Sequence, residues 1–177
     1  NWAAANPDKV ACIYGDAPVC DAMSWPIGRN PGEGNANEVA KILKVYNVET
    51  VYDLFPKVIS PVNNLVPLAR AGVPLLHVYG DADVPVPWKD NTGLLADRYR
   101  ILGGQITLIP KPGVGHVHGL DDPTPIIEFL ATHSLRAIAA ADVRPRNIGS
   151  RRELFVDHFL IDQMTNTHLH LHDPRDE

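Results

Sequence analysis

Two short loops of this 177-residue chain hold side chains suited to catalysis. The first is GDADVPVP, residues 80–87, which offers Asp83, and the second is KPGVGHVHGLDDPTP, residues 111–125, which offers His116 and His118. A carboxylate that accepts the imidazole Nδ1 proton fixes the tautomer of the ring and leaves Nε2 to act as a general base. The same histidines, with two aspartates close behind them, also form a candidate metal-binding set.

Both loops follow predicted β-strands. Apolar runs at residues 10–15, 74–80 and 105–110 each end at glycine or proline, which is typical of buried strands. Helical spacing occupies residues 91–102, and a further helix is predicted to begin after residue 122. Alternating strands and helices predict a parallel sheet with flanking helices. Because ligands gather at the carboxyl ends of parallel strands, we expect the two loops to meet above the sheet.

The two loops resemble those of the α/β-hydrolase family, in particular the C-terminal half of an esterase-like member. The acid-loop pattern G-x-x-D-x-x-V-P matches Gly80, Asp83, Val86 and Pro87, and the histidine-loop pattern G-x-G-H matches Gly113, Gly115 and His116. The resemblance covers roughly residues 1–133 and implies a partial α/β-hydrolase fold with a three-stranded parallel sheet. It also implies a hydrolase of carboxylic esters or lactones, with Asp83 as the triad acid, His116 as the general base and His118 as a secondary substrate contact.

The nucleophile of the family is missing from its expected place. A family member carries its serine on a G-x-S-x-G elbow before the acid and the histidine, and that motif does not occur in this sequence. Ser24, Ser60, Ser134 and Ser150 all lack the flanking glycines, and Ser24 is the least implausible substitute. The opening NWAAANPDKV has no initiator Met and resembles the end of the helix that follows the elbow. We therefore expect a truncated hydrolase whose nucleophile is not identified in this chain.

Two alternatives to this hypothesis stay open. In the first, His116 and His118, with Asp121 or Asp122, hold a divalent ion that activates water for attack on an ester or lactone carbonyl. HVHGLDD superficially resembles the H-x-H-x-D-H signature of metallo-β-lactamase-like hydrolases, which include lactonases, but it lacks the final histidine. In the second alternative the chain is a non-catalytic hydrolase fragment. The favoured hypothesis predicts neither a cofactor nor a metal site.

An insertion is predicted between the first two strands. Residues 16–72 are rich in Pro, Gly and Asn and include a helical stretch near residues 38–46. Such a segment forms a lid or a pocket wall, or else a plain surface elaboration. Trp25 is its best candidate for a substrate contact, and the alternative is that Trp25 anchors the loop on the core.

Composition divides the chain into three parts. Residues 1–134 are predicted to be the C-terminal part of an α/β-hydrolase domain, residues 135–152 an arginine-containing linker, and residues 153–177 the start of a second, β-rich segment. In that last segment His168, His170 and His172 would share one face of a strand. They could hold a metal there, but we favour an exposed face of an edge strand.

Charge and hydrophobicity limit the class of partner. A formal net charge of −5 argues against a nucleic-acid surface, and no apolar run approaches the roughly 20 residues of a membrane span. With 45% apolar residues the chain can bury one sizeable core, and its negative charge favours a small partner over a nucleic acid. The resemblance to esterase-like hydrolases implies that this partner is a small-molecule ester or lactone. Because a half-sheet exposes an edge and apolar surface, we also expect a homo-oligomer. The sequence leaves the cellular compartment open.

Overall fold

The computed structural model describes residues 1–29, 32–57 and 59–140, and only the backbone at residues 56 and 135–140. These residues belong to one compact unit, Asn1–Ala141. Its α-helices and β-strands, in chain order, are α1 (Trp2–Ala5), β1 (Ile13–Asp16), α2 (Ala36–Tyr46), α3 (Val66–Arg70), β2 (Leu75–Gly80), α4 (Leu94–Ile101), β3 (Ile106–Lys111) and α5 (Thr124–Ala140). Short 3₁₀ turns at Pro7–Lys9, Val51–Lys57 and Pro61–Asn63 and a π-turn at Lys89–Gly93 complete the set.

The predicted division of the chain at residue 134 stays a prediction. Helix α5 continues beyond it through Ala140, because the apolar and alanine-rich stretch after residue 134 supports further helical turns. The first six residues of the predicted linker, 135–140, are therefore helical. The rest of the predicted linker and the predicted segment 153–177, with its three alternating histidines, lie outside the described residues.

The three strands form a parallel sheet in the order β1-β2-β3, as the sequence predicts. The register pairs Asp16 with Val78 and Gly80 with Lys111. All six residues of β2 are buried, whereas β1 and β3 are only partly covered. This distribution follows from strand order, because a central parallel strand is shielded on both edges and both faces. The predicted three-stranded parallel sheet with flanking helices is confirmed.

Tyr99 of α4 fixes how the helix packs on the sheet. Its ring is fully buried, and its hydroxyl donates a hydrogen bond of 2.5 Å to the Val73 carbonyl just before β2. A Cβ at Gly104, two positions before β3, would come within 2.4 Å of the Tyr99 ring, so a glycine is needed there. The hydrogen bond satisfies the polar end of a buried aromatic side chain and holds the helix over the strands on both sides of it.

The segment between β1 and β2 contains α2, two 3₁₀ turns and α3. The Asn35 side chain accepts a hydrogen bond from the Glu38 amide and so caps the first turn of α2. Arg98 of α4 donates to the Val62 carbonyl at 2.9 Å and to Asn63 Oδ1 at 2.7 Å. These bonds hold the 3₁₀ turn at Pro61–Asn63 against helix α4.

No helix in the part of the chain that the structure describes is long and apolar enough to span a membrane. Strands β1 and β3 are the outer strands of the three-stranded sheet. The expected homo-oligomer concerns contacts between chains, and it stays a prediction.

A histidine is buried at the centre of the sheet. His77 of β2 is 4% exposed, and its Nδ1 lies 3.2 Å from the Thr92 hydroxyl. A Cβ at Gly15 would lie 2.8 Å from His77 Cδ2, so the glycine of the neighbouring strand makes room for the ring. Burial lowers the pKa of His77 to about 4, because desolvation penalises the charged imidazolium.

This buried imidazole predicts a specific pH dependence of stability. At a pH between the ordinary pKa of 6.5 and the folded value of about 4, His77 binds a proton in the unfolded chain but stays neutral in the folded protein. Stability that is fully present above the unfolded pKa is therefore lost as the pH falls through this window, by on the order of 3 kcal/mol. We expect His77→Asn, which stays neutral, to lose this part of the pH dependence. Free energies of unfolding from urea titrations across the window check this, and the same slope in both proteins would contradict it.

Candidate active site

The acid loop leaves the carboxyl end of β2 and turns at once. The Asp83 side chain is 2% exposed, and its Oδ1 accepts a 2.9 Å hydrogen bond from the Val86 amide. Aspartate commonly stabilises turns through such a bond to a backbone amide of a following residue. The bond uses one carboxylate oxygen for the loop and leaves Oδ2 directed to another partner.

The histidine loop, residues 112–119, is fastened to the acid loop. Asp81 Oδ1 accepts from the Gly113 amide at 2.6 Å, and the Ala82 amide donates to the Val114 carbonyl at 3.0 Å. A Cβ at Gly80 would lie 2.2 Å from the carbonyl oxygens of both Val114 and Gly115. The backbones of the two loops therefore touch, and only glycine at position 80 permits this contact.

The structure brings Asp83 and His116 together. His116 Nδ1 lies 2.7 Å from Asp83 Oδ2, although the two residues are 33 positions apart. An ionised carboxylate has no proton to give, so Nδ1 is the donor and the neutral ring carries its lone pair on Nε2. The His116 side chain is 33% exposed and Nε2 has no hydrogen-bond partner among the described residues. This pair has the geometry of an oriented general base.

His118 lies beside this pair without bonding to it. Its ring centroid is 5.2 Å from that of His116, and the rings meet edge to face at 70°. The His118 side chain is exposed. It is placed to contact a molecule that approaches His116, and the structure leaves its role as a substrate contact a prediction.

Trp25 lines a separate cleft of about 340 Å³. The cleft is mainly apolar, and its lining includes Pro26, Ile59, and Ile42 and Tyr46 of α2. Trp25 is half-buried and joined to Pro26 by a cis peptide bond. No residue of the acid loop or the histidine loop lines this cleft, so the structure does not bring Trp25 together with His116.

The metal alternative finds little support among the described residues. Within them no group of three or more His, Cys, Asp or Glu side chains is arranged to hold a metal ion. Asp122 Oδ1 accepts a 3.0 Å hydrogen bond from the Thr124 amide at the start of α5. Hydrogen bonds from the Thr124 side chain and backbone lower the pKa of Asp122, which is exposed. Asp122 therefore stabilises the turn that leads into α5.

Ser24 is not available as a nucleophile, and its interpretation as a substitute serine is wrong. Its side chain is fully buried and accepts a 3.1 Å hydrogen bond from Asn91 Nδ2. Ser60 is 2% exposed and donates to Asp21 Oδ1 at 2.9 Å. Both hydroxyls belong to the internal polar network of the insertion, because buried polar groups in a loop must find partners within the protein.

Asn91, which the sequence analysis overlooked, is the centre of that network. Its Oδ1 accepts from the amides of Cys20 and Asp21 at 2.9 and 3.0 Å. Its Nδ2 donates to Ser24 Oγ and, at 3.0 Å, to the Pro87 carbonyl. All four hydrogen-bonding sites of the amide are used. A polar residue at the start of a predicted amphipathic helix was the only local signal, and it does not show which distant amides the side chain meets.

Comparisons with known proteins give low similarity. No family model matches the sequence, and no curated protein does. The chain is similar to a truncated carbohydrate esterase from gut microbiota, with 28% identity and a TM-score of 0.36 over 46% of this chain and 27% of that one. It is also similar to the thermophilic esterase Est2 of the planctomycete Thermogutta terrifontis. The butyrate-bound form has 19% identity and a TM-score of 0.38 over 75% of this chain and 44% of that one. The native form has 21% identity and a TM-score of 0.35, over 64% of this chain and 38% of that one. The chain thus spans less than half the length of each of these structures.

The contact at Gly80 makes a prediction about the site scaffold. Gly80→Ala places a methyl group 2.2 Å from two backbone carbonyl oxygens, so the backbone of the histidine loop would have to shift. We expect a loss of several kcal/mol of stability. Gly115→Ala is the matched control, because its Cβ would meet only the Ala82 carbonyl at 3.9 Å. Thermal melting of the two variants measures the difference. Equal melting temperatures would show that the loops do not touch as described.

Proposed function

We propose that this chain carries the acid–base pair of a hydrolase that acts on carboxylic esters or lactones. The observation that carries the proposal is the 2.7 Å contact between His116 Nδ1 and Asp83 Oδ2 at the carboxyl edge of the sheet. The resemblance of both loops to those of α/β-hydrolases agrees with it. Ester cleavage needs a group that takes a proton from the attacking hydroxyl and then gives it to the leaving oxygen, and His116 is the candidate.

The proposed chemistry uses His116 twice. As a hydroxyl oxygen bonds to the ester carbonyl carbon, Nε2 takes the hydroxyl proton and the ring becomes an imidazolium. As the carbon–oxygen bond to the leaving group breaks, Nε2 returns the proton to the alkoxide, and water completes the hydrolysis to an acid and an alcohol. Asp83 stays ionised throughout and stabilises the imidazolium. The attacking hydroxyl is not assigned to a residue of this chain.

The proposed substrate contacts are His118 and Trp25. His118 stands next to the general base, where it can contact the polar part of a substrate. Trp25 contributes an indole ring to the apolar cleft, whose volume of about 340 Å³ lies within the range of roughly 300–1,000 Å³ that is common for ligand pockets. We propose that this cleft takes an apolar group of the substrate.

The test of the function is ester turnover by the protein. We expect Asp83→Asn to lower kcat for p-nitrophenyl acetate by roughly 10³–10⁴-fold, because the amide can no longer hold the Nδ1–H tautomer. We expect His116→Ala to lower kcat by about as much. The double variant Asp83→Asn/His116→Ala should lower kcat little further, because the two residues act as a unit.

Asp81→Asn is the matched control for this experiment. It makes the same change of charge in the same loop but keeps an oxygen that can accept from the Gly113 amide, so its effect should be far smaller. Turnover that disappears with a chelator and returns with metal would favour the metal alternative instead. No turnover with esters or acyl lactones, or full activity of Asp83→Asn, would reject the proposal.

The substrate contact at Trp25 has its own test. Trp25→Ala should raise KM for p-nitrophenyl butyrate more than for the acetate and leave kcat nearly unchanged, because it removes apolar binding without touching the base. Trp2→Ala is the control, since Trp2 is 65% exposed and lies outside the cleft. A lower melting temperature with an unchanged KM would instead identify Trp25 as an anchor of the loop.

A further inference from the structure

The histidine loop is held by the outer strand β1 as well as by β2. Asp16, the last residue of β1, accepts a 2.8 Å hydrogen bond through Oδ2 from the Gly119 amide, 103 positions away. Gly119 has a φ of +75°, a conformation that favours glycine. Asp16 therefore fixes the end of the loop, whereas Asp81 fixes its beginning at Gly113.

Lys111 holds the same end of the loop from the opposite side. Its Nζ donates to the Gly119 carbonyl at 3.0 Å and also to the Val117 carbonyl. The backbone N–H of Gly119 is thus bound by an anion from β1, and the backbone C=O by a cation from β3. Hydrogen bonds in which one partner is charged are roughly twice as strong as neutral ones, so this pair of bonds restrains the glycine strongly.

The fold tolerates two unfavourable features to place the Asp16 carboxylate there. Asp16 Oδ1 is buried and accepts no hydrogen bond of normal geometry among the described residues, although burial and the nearby Asp16 carboxylate together raise the pKa of the Tyr14 hydroxyl to about 12. Ala17, the next residue, has a φ of +43°, which costs a non-glycine residue energy, and its amide is fastened to the Val78 carbonyl at 2.8 Å. Strain of this kind persists where the surrounding structure over-determines a position, and it is concentrated at functional sites.

We propose that Asp16 is a positioning residue for the general base, an inference that rests on the proposed function of His116. His116 lies in a loop with three glycines, whose backbone loses more freedom on ordering than that of other residues. Asp16, together with Lys111, holds Gly119 and so keeps His116 directed at Asp83. Asp16 does not itself contact the reacting atoms; it acts through the loop.

The test uses Asp16→Ala and three measurements. We expect the Gly119 amide to exchange with solvent at least about tenfold faster, and the NMR signal of the His116 Nδ1 proton to weaken, because that proton is no longer held at Asp83. For ester hydrolysis we expect kcat to fall roughly tenfold or more with KM little changed, because a displaced base slows proton transfer rather than binding. Asp16→Asn keeps an oxygen acceptor and should restore most of each value.

Asp122→Ala is the control, since it also removes an aspartate that accepts a hydrogen bond from a backbone amide near the loop, but it leaves Gly119 held. If Asp16→Ala does not fold, the measurement is made on the unaltered protein. Its Gly119 amide should exchange with solvent more slowly than its His118 amide, for which the described residues show no acceptor. Unchanged exchange and an unchanged His116 signal in Asp16→Ala, or an unprotected Gly119 amide in the unaltered protein, overturn the proposal. Absent ester turnover rejects only the proposed function, because the two NMR measurements still decide the role of Asp16.

Discussion

The parallel pairing of β2 with β3 is the constraint on which the candidate site depends. Its register places Gly80 opposite Lys111, so both loops leave the sheet at the same level. The hydrogen bond of 3.3 Å from the Asp81 amide to the Lys111 carbonyl continues the pairing beyond Gly80, and the Ala82 amide then bonds to the Val114 carbonyl between the two loops. A slip of one residue would turn every side chain of the slipped strand to the other face and shift one loop relative to the other. The pairing therefore sets the level of the two loops, and the side chains of Asp81, Asp16 and Lys111 then hold the histidine loop in place.

The two side chains of the candidate site, Asp83 and His116, differ in how far they are buried. Asp83 is almost completely enclosed and both of its oxygens are bonded, one to the Val86 amide and one to His116. A buried and fully satisfied carboxylate has one orientation and interacts strongly with a charge that develops beside it. His116 keeps a third of its side chain open to solvent. The pair thus joins an enclosed carboxylate to an accessible imidazole, which is the asymmetry that the proposed role of His116 as a general base requires.

The parts of this structure that could be predicted from sequence are those with a local signal. Each strand is an apolar run closed by glycine or proline, and the acid and histidine motifs follow two of these runs directly. The hydrogen bond that the Gly119 amide donates to Asp16 has no such signal, because it depends on β1 lying beside β2 with its end level with the histidine loop. The roles of Asn91 and Ser24 could not be predicted for the same reason. The sequence shows that these side chains are an amide and a hydroxyl, but it does not show which distant groups they bond to.

The Asn91 network also decides how far the insertion can act as a lid. Asn91 binds the amides of Cys20 and Asp21 and the Ser24 hydroxyl on one side and the Pro87 carbonyl of the acid loop on the other. Breaking such a network leaves buried polar groups unpaired, at about 1–3 kcal/mol for each. The backbone of residues 27–29 is bonded in turn to residues 22–24. The turn that carries Trp25 is therefore joined by buried hydrogen bonds to the acid loop, and a movement of this turn away from the acid loop would have to break them.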